Sequence, residues 1–145
     1  MNQGDMNGIL NDIKQVFGET IEINADKFFP IVRCDAEQLL ELMRTLKEQF
    51  GFNYLANLNG VDYGEQFEMI YHLYTIPARA KLLVKTRVSR DVPILPSLIE
   101  LWPTADWQER EVYDLMGILF QGHPNLLRVL LPDDFIGHPL RKDFK

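Results

Sequence analysis

The sequence holds one cysteine, Cys34, in 145 residues. That excludes an intrachain disulfide, a four-cysteine zinc site and a cysteine-ligated iron–sulfur cluster held by this chain alone. Positive charge is also scarce: 15 Lys and Arg against 21 Asp and Glu leave a net charge of −6. With no cluster of Lys and Arg, the phosphate neutralisation that nucleic-acid binding requires has no face to act from. No apolar run approaches the ~20 residues that cross a bilayer; the stretch 115–120 is among the longest. Membrane contact is therefore expected only through a partner. The start, MNQGDMNGILNDIKQ, lacks both the basic opening and the apolar stretch of a secretory signal, and a cytoplasmic chain is expected. Missing too are a GxGxxG after a strand, a GxxxxGK[ST] phosphate loop, a GxSxG elbow and an HExxH helix, which argues against an independent catalyst of those classes.

The composition that remains, 46% hydrophobic and 25% charged, is that of an ordinary globular chain able to bury a core without a disulfide. One domain over 1–145 is expected, since neither a repeat nor a linker interrupts it. Ile9, Leu10, Ile13, Val16 and Phe17 recur at helical spacing, with Asp5 or Asn7 as a cap and Gly18 as a stop. Residues 20–34 read as two strands, with Pro30 favouring a sheet edge. Asp35 and Gln38 have capping-box spacing ahead of the stripe Leu39, Leu42, Met43, Leu46 and Phe50, closed by Gly51. Three strand-like segments follow, near 52–61, 67–76 and 82–88, and Lys81, Lys85 and Arg87 predict that one face of their sheet is wet. Prolines then punctuate short apolar pieces until a second helix, capped by Thr104 and running to about Met116 and Gly117.

That order implies an α+β two-layer sandwich, a mixed and mostly antiparallel sheet with helices on one face, followed by an irregular C-terminal tail. The core is expected over about 1–101, and a signature helix with a docking tail over about 102–145. Strict βαβ alternation is absent, and with it the parallel-sheet crevice that holds a dinucleotide.

Trp107, Glu111 and Leu115 share one stripe of the last helix, so Glu111 is expected between large apolar side chains. A carboxylate there needs a donor, either as a structural pair or as a tuned acid. Arg110 and Asp114 are spaced to pair across one turn. His72, His123 and His138 could join Asp133 and Asp134 around a metal, although none has the close spacing that builds such a site on a helix. The tail carries Leu126, Leu127, Val129, Leu130, Leu131, Phe135, Leu140 and Phe144 on a backbone rich in proline and glycine. Either it wraps its own domain, or it docks on another subunit with Arg128, Arg141 and Lys142 meeting that partner's carboxylates.

The run Glu109-Arg110-Glu111-Val112-Tyr113-Asp114-Leu115-Met116-Gly117, the His123-Pro124 pair and the closing LLPDDFIGHPLRKDF closely resemble the 30-kDa subunit family, the C subunit of respiratory NADH-quinone oxidoreductase, complex I. The resemblance is dense from Trp102 to Phe144 and runs without gaps. It implies a peripheral-arm subunit with no cofactor of its own, packed on the hydrogenase-like D subunit beside iron–sulfur subunits, on the cytoplasmic side of the membrane. NADH, FMN, iron–sulfur clusters and quinone would then sit on other subunits of a proton-pumping enzyme. The family pattern falls on Glu109, Arg110, Glu111, Asp114, His123, Arg128, Asp133, Asp134, Gly137, His138, Pro139, Arg141, Lys142, Asp143 and Phe144. No catalytic, cofactor-binding or metal-ligating residue is implied. Two features depart from the pattern: Leu127 stands where relatives commonly carry the first of two arginines, and the tryptophan usual near Phe135 is missing. The same subunit type recurs in membrane-bound energy-converting hydrogenases and formate hydrogenlyase, which is the alternative. A stand-alone enzyme would instead need a concave pocket joining at least two of Glu111, Asp114, Asp133 and Asp134.

Overall fold

The computed structural model describes residues 3–25, 30–77, 80–128, 130–131 and 136–141, with the side chains of 3–7 and 25 excepted. Helix α1 (Gln3–Phe17) leads through a short 3-10 turn into β1 (Ile21–Ala25) and β2 (Pro30–Asp35). A second such turn opens α2 (Leu39–Phe50), and the meander β3 (Tyr54–Asp62), β4 (Gln66–Tyr74) and β5 (Lys81–Ser89) follows. The chain then forms β6 (Ile94–Pro96), α3 (Ala105–Met116) and β7 (Leu119–Gln121).

The main sheet has the order β1-β2-β5-β4-β3, antiparallel except where β2 runs parallel to β5. This is the mixed α+β arrangement that the segment order predicts. Side chains alternate across it: Phe67, Met69, Tyr71 and Leu73 of β4 are fully buried, while Ile70, His72 and Tyr74 on the other face are partly exposed. Leu82, Val84 and Val88 of β5 join the buried face, and Lys85 and Arg87 stay on the wet one. Ile13 from α1, Leu39, Leu42, Met43 and Leu46 from α2, and Val112 and Met116 from α3 all enter the same core cluster. Burying a Leu-sized side chain contributes roughly 2 kcal/mol, so this single shared core is what holds three short helices to the sheet.

Several local expectations are corrected. Helix α1 starts before Asp5, so neither Asp5 nor Asn7 stands at its N-cap, and Val16 is exposed instead of sharing the apolar stripe. Strand β2 is interior, between β1 and β5; Pro30 is tolerated because it is the first residue of the strand, and the β5 ladder begins at Ile31. The Asp35 capping box does not form: 36–38 wind as a 3-10 turn, and Gln38 Oε1 is buried without a partner. Thr104 precedes α3, but its hydroxyl donates to Leu55 O instead of capping the helix. The two-stranded parallel sheet of β6 and β7 lies outside what the sequence pattern predicts, because each strand is only three residues long.

Candidate functional site

The buried stripe of α3 is Ala105, Glu109, Val112 and Met116, spaced four, three and four residues apart. This places Glu109, not Glu111, in the interior at 0% exposure. Its carboxylate accepts from Ser97 Oγ at 2.6 Å and from Leu98 N at 2.8 Å. It thereby clasps the turn after β6, while Ser97 N donates to Gln121 O of β7 at 2.8 Å. Burial pushes the Glu109 carboxyl up to about 7, against the two hydrogen bonds that favour its charged form.

Glu111 lies on the outer side of α3. It accepts from Trp107 Nε1 at 2.5 Å, and Trp107 is 51% exposed, so the expected apolar cleft around Glu111 is instead surface. Arg110 lies over the Trp107 ring at 5.6 Å and donates to Leu127 O at 3.3 Å. The expected pairing of Arg110 with Asp114 gives way to a different one: Asp114 takes Arg128 Nη1 at 2.9 Å. Spacing of i, i+4 finds neighbours on one helix and carries no signal for a tail that folds back.

Asp114 is the centre of that return. Fully buried, it accepts from Leu130 N at 2.8 Å and Leu131 N at 3.0 Å as well as from Arg128. Arg128 Nη2 reaches on to Gly137 O at 2.9 Å. The carbonyls left open at the end of α3 are then closed by the tail: His138 Nδ1 donates to Asp114 O at 3.0 Å, Leu140 N to Leu115 O at 2.8 Å, and Arg141 Nε to Met116 O at 2.6 Å. No basic residue lies in the last turn of α3 itself, so the tail supplies the cations that its negative end favours. Arg141 also lies over the Phe67 ring at 5.1 Å, a ring that Arg90 faces at 4.8 Å. Gly117, at φ +78°, leaves the room this requires, because a Cβ there would sit 2.8 Å from both Arg141 Nη2 and His138 Cδ2.

Of the signature residues, the structure therefore gathers Asp114, Arg128, Gly137, His138 and Arg141 at one end of α3. His123 is at the other end, with Nε2 3.0 Å from Asp106 Oδ1 and Nδ1 accepting from Asn125 N at 3.0 Å. Eight residues of helix separate Asp106 from Asp114, ~12 Å at 1.5 Å per residue, so His123 and His138 are too far apart to share a metal ion. Pro139 is half-buried beside His138. Asp133, Asp134, Lys142, Asp143 and Phe144 lie outside the described residues, as do Val129 and Phe135. Glu111 and Asp114 line neither of the two described concavities, both of which flank β1. Cys34 is buried, and burial pushes its thiol up to about 12, which favours the protonated form over the nucleophilic thiolate.

The arrangement is thus a set of structural clasps that leaves apolar side chains outside. Leu127, Leu130 and Leu140 are each more than half exposed and Ile136 is 91% exposed, all on the tail that the clasps hold against α3.

Residues 32–145 match the family described as respiratory-chain NADH dehydrogenase, 30 Kd subunit. The chain is 48% identical over 142 residues to the C subunit of NADH-quinone oxidoreductase from Moorella thermoacetica, covering 97% of this chain and 95% of that protein. It is 41% identical over 139 residues to the C subunit of the same enzyme from Chloroherpeton thalassium, covering 92% of this chain and 58% of that longer protein. Among solved structures, it superposes on a trypsin-resistant fragment (1-134) of Nqo5 with a TM-score of 0.74 and 31% identity, covering 83% of this chain and 98% of the fragment. It also superposes on a chain of the membrane-bound sulfane sulfur reductase, an archaeal respiratory membrane complex, with a TM-score of 0.86 and 25% identity, covering 97% and 86%.

Proposed function

The chain belongs to the respiratory-chain NADH dehydrogenase 30 kDa subunit family, and from that membership we propose that it is a peripheral-arm subunit of a proton-pumping NADH-quinone oxidoreductase. In this reading it supports electron transfer from NADH to quinone without binding a cofactor itself. It packs on the hydrogenase-like D subunit, next to iron–sulfur subunits, and the complex holds it on the cytoplasmic side of the membrane. FMN, iron–sulfur clusters and quinone reside on the other subunits.

The observation that carries the reading is the tail, pinned to α3 by Asp114, Arg128, His138 and Arg141 while Leu127, Leu130, Ile136 and Leu140 face outward. Apolar side chains held on a fixed backbone are the form of an interface core. Of the two alternatives for the tail, the described arginines follow the one in which it wraps its own domain: Arg128 and Arg141 bond within the chain, so the apolar residues are the anchors offered to a partner. The described residues include no helix long and apolar enough to cross a membrane, which is consistent with attachment through partners.

The test is co-expression with the matching hydrogenase-like subunit. Stable co-purification, weakened when Leu130 and Ile136 are both replaced by Ser at unchanged chain stability, supports the reading; a chain that stays alone refutes it. The second reading, the equivalent subunit of an energy-converting hydrogenase or formate hydrogenlyase, draws on the likeness to the sulfane sulfur reductase chain. Assay of the purified complex separates them: NADH oxidation with quinone belongs to the first, hydrogen evolution to the second.

A further inference from the structure

Singly exposed apolar residues are ordinary on a protein surface. Trp107 differs in being held in place. It is 51% exposed on the outer face of α3, yet its Nε1 donates to Glu111 and the Arg110 guanidinium lies 5.6 Å from the ring centroid. Arg110 is fixed in turn, because its Nε donates to Leu127 O at 3.3 Å. The rotamers of both side chains are thus set before anything binds, which removes part of the entropic cost of burying them in a complex.

The chain after β7 follows the helix along this side, in the same direction. His123 meets Asp106, Leu127 O meets Arg110, and the N–H groups of Leu130 and Leu131 meet Asp114. Seven residues separate Trp107 from Asp114, about 10 Å of helix at 1.5 Å per residue. Leu127 and Leu130, each more than half exposed, therefore continue the outward surface that Trp107 begins, and that surface runs on into the apolar anchors of the tail.

The bonding of α3 limits what can cover this surface. Each of its four acids already has a partner within the chain: Asp106 has His123, Glu109 has Ser97 and Leu98 N, Glu111 has Trp107, and Asp114 has Arg128. Arg110 is the only cation of the helix, and it takes part in no ion pair among the described residues. With Nε spent on Leu127 O, its two Nη groups are placed to meet a carboxylate from outside. A second copy of this chain offers no α3 acid that is not already engaged.

We propose that Trp107 and Arg110 are the hot spot of the surface that docks on the partner subunit. The indole enters an apolar pocket of that subunit, and the Arg110 guanidinium takes an Asp or Glu at the pocket's rim. Leu127 and Leu130 close around the pair and keep water out. Interface centres favour Trp and Arg for these reasons: a large rigid ring, and a planar cation that stacks while it hydrogen-bonds. The proposal rests on the reading of this chain as a subunit of a larger complex, and it extends the docking surface from the tail onto α3.

Hydroxyl-radical footprinting read by tandem mass spectrometry tests it, comparing the free chain with the purified complex. Oxidation of Trp107 is expected to slow about tenfold or more on assembly. Trp102, 3% exposed with its Nε1 donating to Phe52 O, should react slowly in both and is the internal reference. Trp107→Ala and Arg110→Glu should each weaken association with the hydrogenase-like subunit about tenfold or more, whereas Val16→Ser, at an exposed site on α1, should leave it unchanged. In the Arg110→Lys variant, zero-length carbodiimide coupling should join position 110 to an Asp or Glu of that subunit. Where a variant does not fold, the wild-type footprint decides. Equal oxidation of Trp107 in the free and assembled chain overturns the proposal, as does association insensitive to both folded variants. Absence of coupling at position 110 overturns the carboxylate, and coupling to a second copy of this chain overturns the occupant. Failure to co-purify with any subunit overturns both this proposal and the functional reading; co-purification with Trp107 still oxidised at the free rate overturns this one alone.

Discussion

Asp114 and Arg128, fourteen residues apart in the chain, meet at 2.9 Å at the C-terminal end of α3, where the carboxylate is fully buried and also accepts two tail N–H groups. Replacing one member of a buried ion pair costs ~3–5 kcal/mol, because the other is left charged without its counterion. Asp114→Ala is expected to lower stability by that order in urea denaturation. It should also free 130–141 to proteolysis, since Leu130 N and Leu131 N lose their acceptor with it. Arg128→Met keeps the acceptor for those two groups but leaves the fully buried carboxylate without its counterion, and a loss of the same order is expected. A loss below about 1 kcal/mol for either variant would show that the pair does not hold the tail.

Glu109 is expected to make stability fall as pH rises. Its carboxyl ordinarily titrates at 4.5 and in the folded chain is raised to about 7 by burial. Between those values the folded state keeps a proton that the unfolded state has released, so each step upward in pH favours unfolding. The full swing is about 3 kcal/mol. Glu109→Gln removes the titration, and the difference between wild type and variant, measured by denaturation from pH 4 to 8, should drift against the wild type across that window. A flat difference would show that the carboxyl titrates normally.

Gly117→Ala combines a left-handed backbone with a Cβ pressed on Arg141 and His138. The backbone alone costs ~1 kcal/mol, and displacement of the two tail side chains adds to it. In an Arg141→Ala background the added part should shrink, so a double-mutant cycle is expected to show coupling of about 0.5 kcal/mol or more. Strict additivity would mean that the tail does not rest on Gly117.

Gln108→Ala removes the acceptor of Leu58 N on the β3 edge. The expected loss is ~1–2 kcal/mol. Concentration-dependent self-association, read by sedimentation, should accompany it, because the edge that α3 covers becomes a template for pairing. Unchanged association would assign edge protection to the Thr104 contact with Leu55 instead.

Two periodicities determined most of the fold from the sequence alone. The stripe Leu39, Leu42, Met43 and Leu46 and the alternation through β4 and β5 depend only on the 3.6-residue and two-residue repeats of local backbone, so α2 and the meander are legible in the order of residues. The same repeat held the signal for Glu109, which falls between Ala105, Val112 and Met116; the bulk of Trp107 pointed to the wrong side of α3. The motif residues from Trp102 to Phe144 likewise carried the family resemblance unaided.

Tertiary structure alone decided the rest. Strand β2 becomes interior, so Pro30 reports the start of a strand and not a sheet edge, because sheet order is set by which faces bury together. Asp114 finds Arg128 instead of Arg110, and Arg141 finds Met116 O and Phe67, through a tail whose return no periodicity encodes. Buried charges take the partner that desolvates best with them, not the one nearest in sequence, and that choice exists only once the chain has closed on itself.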